Sequence, residues 1–180
     1  MNNAGEQSVQ GFEFDVVYNP IEALKLNIGG AYLDAEYDEF LNASVPPGGD
    51  VDLADGVADG VGDLSGETPA GIPEIALSFG ATYSFDISDD IGAYLRADFQ
   101  YEDETTIVDN LPESVTREVN TLNVSGGLEF DNGLTLQAWA RNLTNDEYYT
   151  SGFPTPAQAG SFNYYPNQPR TYGIAARYNF

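Results

Sequence analysis

The feature that most constrains this chain is a period of two that returns about seven times along its length. In the closing stretch, RTYGIAARYNF, Tyr172, Ile174, Ala176, Tyr178 and Phe180 fall on one parity, and Thr171, Gly173, Ala175, Arg177 and Asn179 on the other. Successive side chains of a strand point to opposite faces, so such a run has one apolar and one polar face. The run has about ten residues, enough to cross a bilayer at a tilt. Six earlier runs repeat it. The first covers roughly Ser8 to Tyr18 and carries Phe12, Phe14, Val16 and Tyr18. The second starts at Leu24 with Leu26, Ile28 and Tyr32, and the third carries Ile75, Leu77, Phe79, Ala81, Tyr83 and Phe85. The others are built on Leu95, Ala97, Phe99 and Tyr101, on Leu122, Val124, Leu128 and Phe130, and on Leu134, Leu136, Ala138 and Ala140.

One amphipathic strand suits a soluble β-sandwich as well as a membrane barrel, and the connections separate the two. NPIE (19–22), ISDD (87–90) and DNG (131–133) are short turn sequences, whereas 41–73, 103–117 and 144–169 are long. Short turns at one rim and long loops at the other are the pattern of an outer-membrane barrel. Charge follows the same logic. Lys25, Arg96, Arg117, Arg141 and Arg177 all take the polar parity of their strands, and a charge on the lipid face near the midplane costs roughly 2–4 kcal/mol. Asp34 and Glu36 sit on the apolar parity of the second run, so that strand is expected to project above the bilayer there. Tyr18, Phe85, Phe130 and Phe180 mark the short-turn ends of alternate strands and predict one interfacial girdle. Tyr32, Phe99, Tyr101 and Tyr172 predict the opposite one.

Composition narrows the function classes. The 180 residues hold 29 acidic and 6 basic side chains, a formal net charge of -23, which argues against nucleic acid as a partner. Cys and His are absent, which removes disulfides, thiolate nucleophiles, imidazole catalysis and the usual zinc sites. No stretch approaches 18 consecutive apolar residues, so no transmembrane helix is predicted, although alternating strands escape that test. The start, MNNAGEQSVQ, lacks the basic and apolar regions of a signal peptide, as expected of a mature chain or a piece of a longer one.

The stretches WARNLTNDEYYTSGF (139–153) and QPRTYGIAARYNF (168–180) resemble the C-terminal barrel of TonB-dependent outer-membrane receptors, and AYLDAEYDEF (31–40) and LSGETPAGIPE (64–74) also look like that family. The resemblance implies an all-β chain, residues 1–180, forming an antiparallel transmembrane β-barrel segment of about seven strands within a 22-stranded barrel, with no plug domain. It implies uptake of a scarce nutrient such as siderophore-bound iron, in a Gram-negative outer membrane. The implied partners are membrane lipid and lipopolysaccharide, the barrel assembly machinery, an unidentified small-molecule ligand and, only through the plug, the TonB complex. It also makes Tyr172, Gly173, Tyr178 and Phe180 the residues of an assembly signal.

Sites of chemistry are sparse. The acidic stretch 50–67, with Asp50, Asp52, Asp55, Asp59 and Asp63, matches neither the EF-hand nor the nonapeptide calcium spacing. It reads as a solvated loop, with a calcium site or cation bridging to an anionic lipopolysaccharide surface as the alternatives. Arg96, Asp98, Glu102, Glu129 and Arg141 are expected to face one another across neighbouring strands as lumen charge pairs rather than as an acid and a base. No nucleophile–base pair or phosphate-binding glycine loop is present, so neither enzyme nor cofactor is expected. Two other readings stay open here. One is a secreted β-sandwich that stacks carbohydrate on Trp139, Tyr148, Tyr149, Tyr164 and Tyr165; the other is a stand-alone eight-stranded barrel.

Overall fold

A computed structural model describes residues 5–44, 61–109, 115–155, 158 and 161–180. Its regular structure is entirely strand: β1 (Glu6–Ile21), β2 (Leu24–Glu39), β3 (Ala43–Ser44), β4 (Val61–Gly62), β5 (Ile75–Ser88), β6 (Ile91–Thr106), β7 (Thr116–Phe130), β8 (Leu134–Arg141), β9 (Tyr149–Pro154), β10 (Phe162–Pro166) and β11 (Thr171–Tyr178). Seven of them form one antiparallel sheet in the order β1-β2-β5-β6-β7-β8-β11. These are the seven alternating runs of the sequence. The sheet is open, with β1 and β11 at its edges, so it is neither a closed eight-stranded barrel nor a pair of packed sheets.

The turns follow local chemistry. Asn132 Oδ1 accepts from the Leu134 amide at 3.0 Å and the Gly133 amide donates to Phe130 O at 3.0 Å. Gly133 has φ +87, and a Cβ there would overlap the Asn179 carbonyl, so only glycine fits. The first turn lies at Glu22 and Ala23 rather than at 19–22, and Asn19, Pro20 and Ile21 belong to β1. Proline has no amide hydrogen to donate, and Pro20 falls in the register shift between Tyr18 and Ile21, an irregularity at which a strand accepts it.

The long connections carry structure that the sequence pattern hid. β6 and β7 run on to Thr106 and Thr116, shortening the expected 103–117 loop, while β9 pairs with β10 inside 144–169 and β3 with β4 inside 41–73. β2 stops pairing with β5 at Tyr32 but stays paired with β1 as far as Glu39. Asp34 and Glu36 therefore lie on a hairpin that projects beyond the sheet, as the charge rule requires.

The register sets the inclination of the strands. One continuous row runs Tyr18–Leu26–Ala81–Ala97–Val124–Ala140–Tyr172, every member on the apolar parity. Toward the short turns, Phe85 lies four residues beyond Ala81, Phe130 six beyond Val124 and Phe180 eight beyond Tyr172, while Tyr18 lies in the row itself. A slip of eight residues at about 3.3 Å over six strand spacings of about 4.8 Å corresponds to a tilt of about 40°, the inclination of barrel strands. Toward the loops, Tyr32 lies six residues from the row, Tyr101 four and Tyr172 none, so the second girdle has the same slope. The girdles are eight residues apart along the last strand and its extension, from Tyr172 to Phe180, or about 20 Å perpendicular to the girdles at that tilt.

Among the described residues, nothing covers the apolar face. Tyr172 is 81% and Ile174 89% exposed, with Phe12, Leu77, Phe79, Leu95 and Tyr178 also open, and no large side chain is fully buried among the described residues. Apolar area this continuous is untenable in water and natural in lipid. Among the described residues a small core forms from Tyr37, Ala43 and Leu64 with Phe40 against it, where the β2 tip meets the first long loop.

Candidate functional site: inner wall and outer rim

The polar parity forms a second continuous row, Lys25–Thr82–Arg96–Ser125–Trp139–Gly173. Arg96 bonds Asp98 twice, Nε to Oδ2 at 2.7 Å and NH2 to Oδ1 at 2.5 Å, and reaches Thr82 Oγ1 at 3.4 Å. The two residues are neighbours on one face of β6, so this pair runs along a strand and not across strands. Both side chains are over a third exposed, which limits the pair to at most about 1 kcal/mol. The pair that does cross strands is Arg117 NH2 to Glu102 Oε2 at 2.5 Å, past a bulge in β6. Glu129 and Arg141 form no ion pair among the described residues. Glu129 lies opposite Thr135 at the short-turn end, and Arg141 opposite Thr171 at the other, about 20 Å away along β8. Arg141 instead places its guanidinium 5.3 Å from the Trp139 ring centre, a cation–π contact.

Trp139 needs room, and Gly173 supplies it. The two are register partners, and a Cβ on Gly173 would stand 2.7 Å from the indole. Gly173 is thus on the inner face under Trp139, while Tyr172 and Tyr178 stand on the apolar face. Phe180 extends past the end of β11, its ring 6.3 Å from that of Tyr178. The four residues of the expected assembly signal therefore divide into three outward aromatics and one inward seat. Of the five rings expected to stack carbohydrate, the described residues pair only Tyr149 with Tyr164, while Tyr165 meets Phe153 and Trp139 meets Arg141.

Two side chains organise the outer rim. Asn142 is 4% exposed and has φ +49. Its amide hydrogens bond the Asp146 and Gln168 carbonyls at 2.9 and 3.0 Å, its Oδ1 accepts from the Asp146 amide at 2.8 Å, and its own amide bonds Asn123 Oδ1 at 2.9 Å. Asp146 Oδ2 in turn accepts from the Asn120 amide at 2.6 Å. The second organiser is Asp109, which takes the Tyr37 hydroxyl at 2.9 Å on one oxygen and the Ala70 amide at 2.8 Å on the other. It joins the β2 tip, beyond the apolar band, to the first long loop. Burial, with the Asp109 carboxylate adding to it, pushes the Tyr37 phenol up to about 12.

Of the acidic stretch 50–67, Asp50, Asp52, Asp55 and Asp59 lie outside the described residues. Asp63 Oδ1 accepts from the Ser65 amide at 2.9 Å, and bonding from Ser65 holds its carboxyl below the ordinary range. No group of His, Cys, Asp or Glu among the described residues converges as a metal site. Asn142, Asn145, Asp146 and Asp109 were not singled out from sequence as organising residues. For Asn142 and Asn145 a signal existed, because asparagine is the non-glycine residue that most readily takes positive φ, and Asn145 has φ 56. Asp109 carried none.

Comparison with known proteins follows this geometry. Residues 1–143 match the family described as TonB dependent receptor-like, beta-barrel. The match ends at Leu143, inside the first of the two C-terminal motifs on which the resemblance was strongest. Among solved structures, the chain is similar to the ferric yersiniabactin uptake receptor FyuA of Yersinia pestis, with TM-score 0.74 and 16% identity over 99% of this chain and 24% of that one. It is similar to BauA, the ferric preacinetobactin receptor of Acinetobacter baumannii, with TM-score 0.64 and 20% identity over 94% and 22%. The siderophore receptor PiuA from Acinetobacter baumannii gives TM-score 0.61 and 17% identity over 94% and 21%. The chain spans about a quarter of the length of these structures. No curated protein matches it in a sequence search.

Proposed function

Because this chain belongs to the TonB-dependent receptor β-barrel family, we propose that it forms the C-terminal part of the wall of an outer-membrane receptor for a scarce small-molecule nutrient, with siderophore-bound iron the first candidate. The family is one of receptors and transporters and its homologues are outer-membrane proteins. The observation that carries the reading is the separation of the two faces between the aromatic girdles. A row of seven apolar residues lies on one face, where lipid would be, while Lys25, Arg96, Asp98 and Glu102 stand with Trp139 on the other face, where a solvated lumen would be.

In this reading the strands supply wall and the projecting loops supply part of the capture surface. Energy coupling through TonB enters by a plug outside this chain. Tyr172, Tyr178 and Phe180 present the outward aromatic edge that the assembly machinery would engage, with Gly173 keeping β11 seated against Trp139. Arg96 with Asp98 and Arg117 with Glu102 are lumen charge pairs, and no residue is given a catalytic role. Iron-siderophore uptake is favoured because the similar folds include a ferric yersiniabactin uptake receptor, a ferric preacinetobactin receptor and a siderophore receptor.

The test is uptake of radioactive iron on a panel of ferric siderophores, in cells lacking their own receptors and expressing the full protein that carries this chain, with and without TonB. TonB-dependent accumulation supports the reading. TonB-dependent uptake of a non-iron nutrient only would replace the ligand class. Recovery of the protein in the soluble fraction would overturn the whole assignment.

A further inference from the structure

The register places one surface outside the barrel wall, above the membrane. Thr116, Glu118 and Asn120 share the parity of Leu122 and Val124, so they continue the lipid-facing side of β7 past its apolar part. Asn120 lies four residues beyond Val124 of the apolar row, at about the level of the loop-side girdle. Next to them stands the β9–β10 hairpin, which among the described residues meets the main sheet only at β7. An isolated two-stranded hairpin is marginal in water, yet this one displays rings. Tyr149 and Tyr164 are 5.0 Å apart and Phe162 is 6.5 Å from Tyr164, with Tyr149 43% exposed.

A cleft of about 610 Å³ opens at the foot of this ladder, with Tyr149 in its wall together with Glu104, Glu118, Asp146, Glu147 and Tyr148. No Lys or Arg lines it. Among the described residues, Glu104, Glu118 and Glu147 accept hydrogen bonds from neutral groups only, the Thr116 hydroxyl and the side-chain amides of Asn120 and Asn145. Their charge is therefore uncompensated, and neither ion pair of the described residues involves the cleft. The carboxylates are spread around the cleft rather than converged on one point, which suits several separated cations better than a single metal ion.

We propose that the ladder of β9–β10 and the acidic cleft beneath it form a docking surface on the outer wall for a cationic amphipathic peptide. Its apolar side chains lie on Tyr149, Tyr164 and Phe162, and its lysine or arginine side chains enter the cleft. The surface is separate from the lumen, so the proposal goes beyond the uptake reading and uses the family only for the membrane setting.

The test uses the full protein in phosphatidylcholine nanodiscs and a fluorescein-labelled octapeptide of alternating lysine and tryptophan, read by anisotropy. Saturable binding is expected, weakened about tenfold by the double variant Glu118→Gln/Glu147→Gln, which keeps the acceptors and removes the charge. Tyr149→Ala/Tyr164→Ala is expected to weaken it by a similar factor. Glu13 and Asp15 take the polar parity of β1, opposite to Phe12, Phe14 and Val16, so the inward-facing variant Glu13→Gln/Asp15→Asn should leave it unchanged. Equal loss in the inward variant, indifference to both outer variants, or equal binding of a glutamate–tryptophan octapeptide would overturn the proposal. Binding that requires anionic lipid and magnesium would identify a lipid headgroup as the occupant instead, and would also overturn it.

Discussion

Asn142 shows how much one side chain carries at the rim. It holds a left-handed backbone conformation that costs an ordinary residue about 1–2 kcal/mol, and its amide completes bonds to two carbonyls and one amide in a buried setting. Asn142→Ala loses both contributions and is expected to lower stability by about 2–4 kcal/mol, measured as the midpoint of urea unfolding in detergent. Asn142→Gly restores the backbone part alone, so its loss is expected to be about 1–2 kcal/mol smaller. Equal loss in the two variants would place the whole effect in the side-chain bonds. The Asn-Leu of the C-terminal motif was visible in the sequence, but its partners were not, because Asn123, Asp146 and Gln168 meet only when three segments fold together.

Elements divide by how far their signal is local. The seven main strands were legible because each buries or exposes a whole parity, and that periodicity needs no partner to be seen. β9 and β10 were missed because they are 6 and 5 residues long, with aromatics on both faces that erase the alternation. The loop joined through Asp109 makes a prediction at this scale. The Tyr37 phenol is neutral and bonded at low pH, with its folded value raised to about 12 from an ordinary 10.0. A raised value means that the stabilisation is complete below pH 10 and is lost as pH climbs toward 12. Hydrogen exchange in 63–74, extrapolated to a common intrinsic rate, is therefore expected to rise through that window. Tyr37→Phe should remove the pH step, and a step that survives in that variant would assign it to another group.

At the scale of the whole molecule, two faces and one tilt set where a charge can stand. Leu95 lies on the apolar parity between the two girdles and is 59% exposed, whereas Gln100 faces inward beside Asp98 and Glu102 on β6. Leu95→Arg is expected to destabilise the folded barrel by about 2–4 kcal/mol, the cost of a charge near the midplane. Gln100→Arg, next to two carboxylates, should change it by less than about 1 kcal/mol. Heat-modifiable gel mobility of the full protein compares the two. Similar losses would mean that the faces are assigned the wrong way round or that the sheet does not meet lipid.

The sequence by itself determined the strand count of the main sheet, the apolar and polar faces, the short turns at one rim and the family resemblance, because parity and turn chemistry are carried by neighbours in the chain. Tertiary structure alone decided which charges pair. Sequence parity put Arg96, Asp98, Glu129 and Arg141 on one face, but register left Glu129 and Arg141 at opposite ends of β8 and gave Arg141 to Trp139. It also decided the tilt of about 40°, since a stagger exists only between strands. The physical reason is the same in both cases: a period of two is a local property of the backbone, while register is fixed by contacts between residues far apart in the chain.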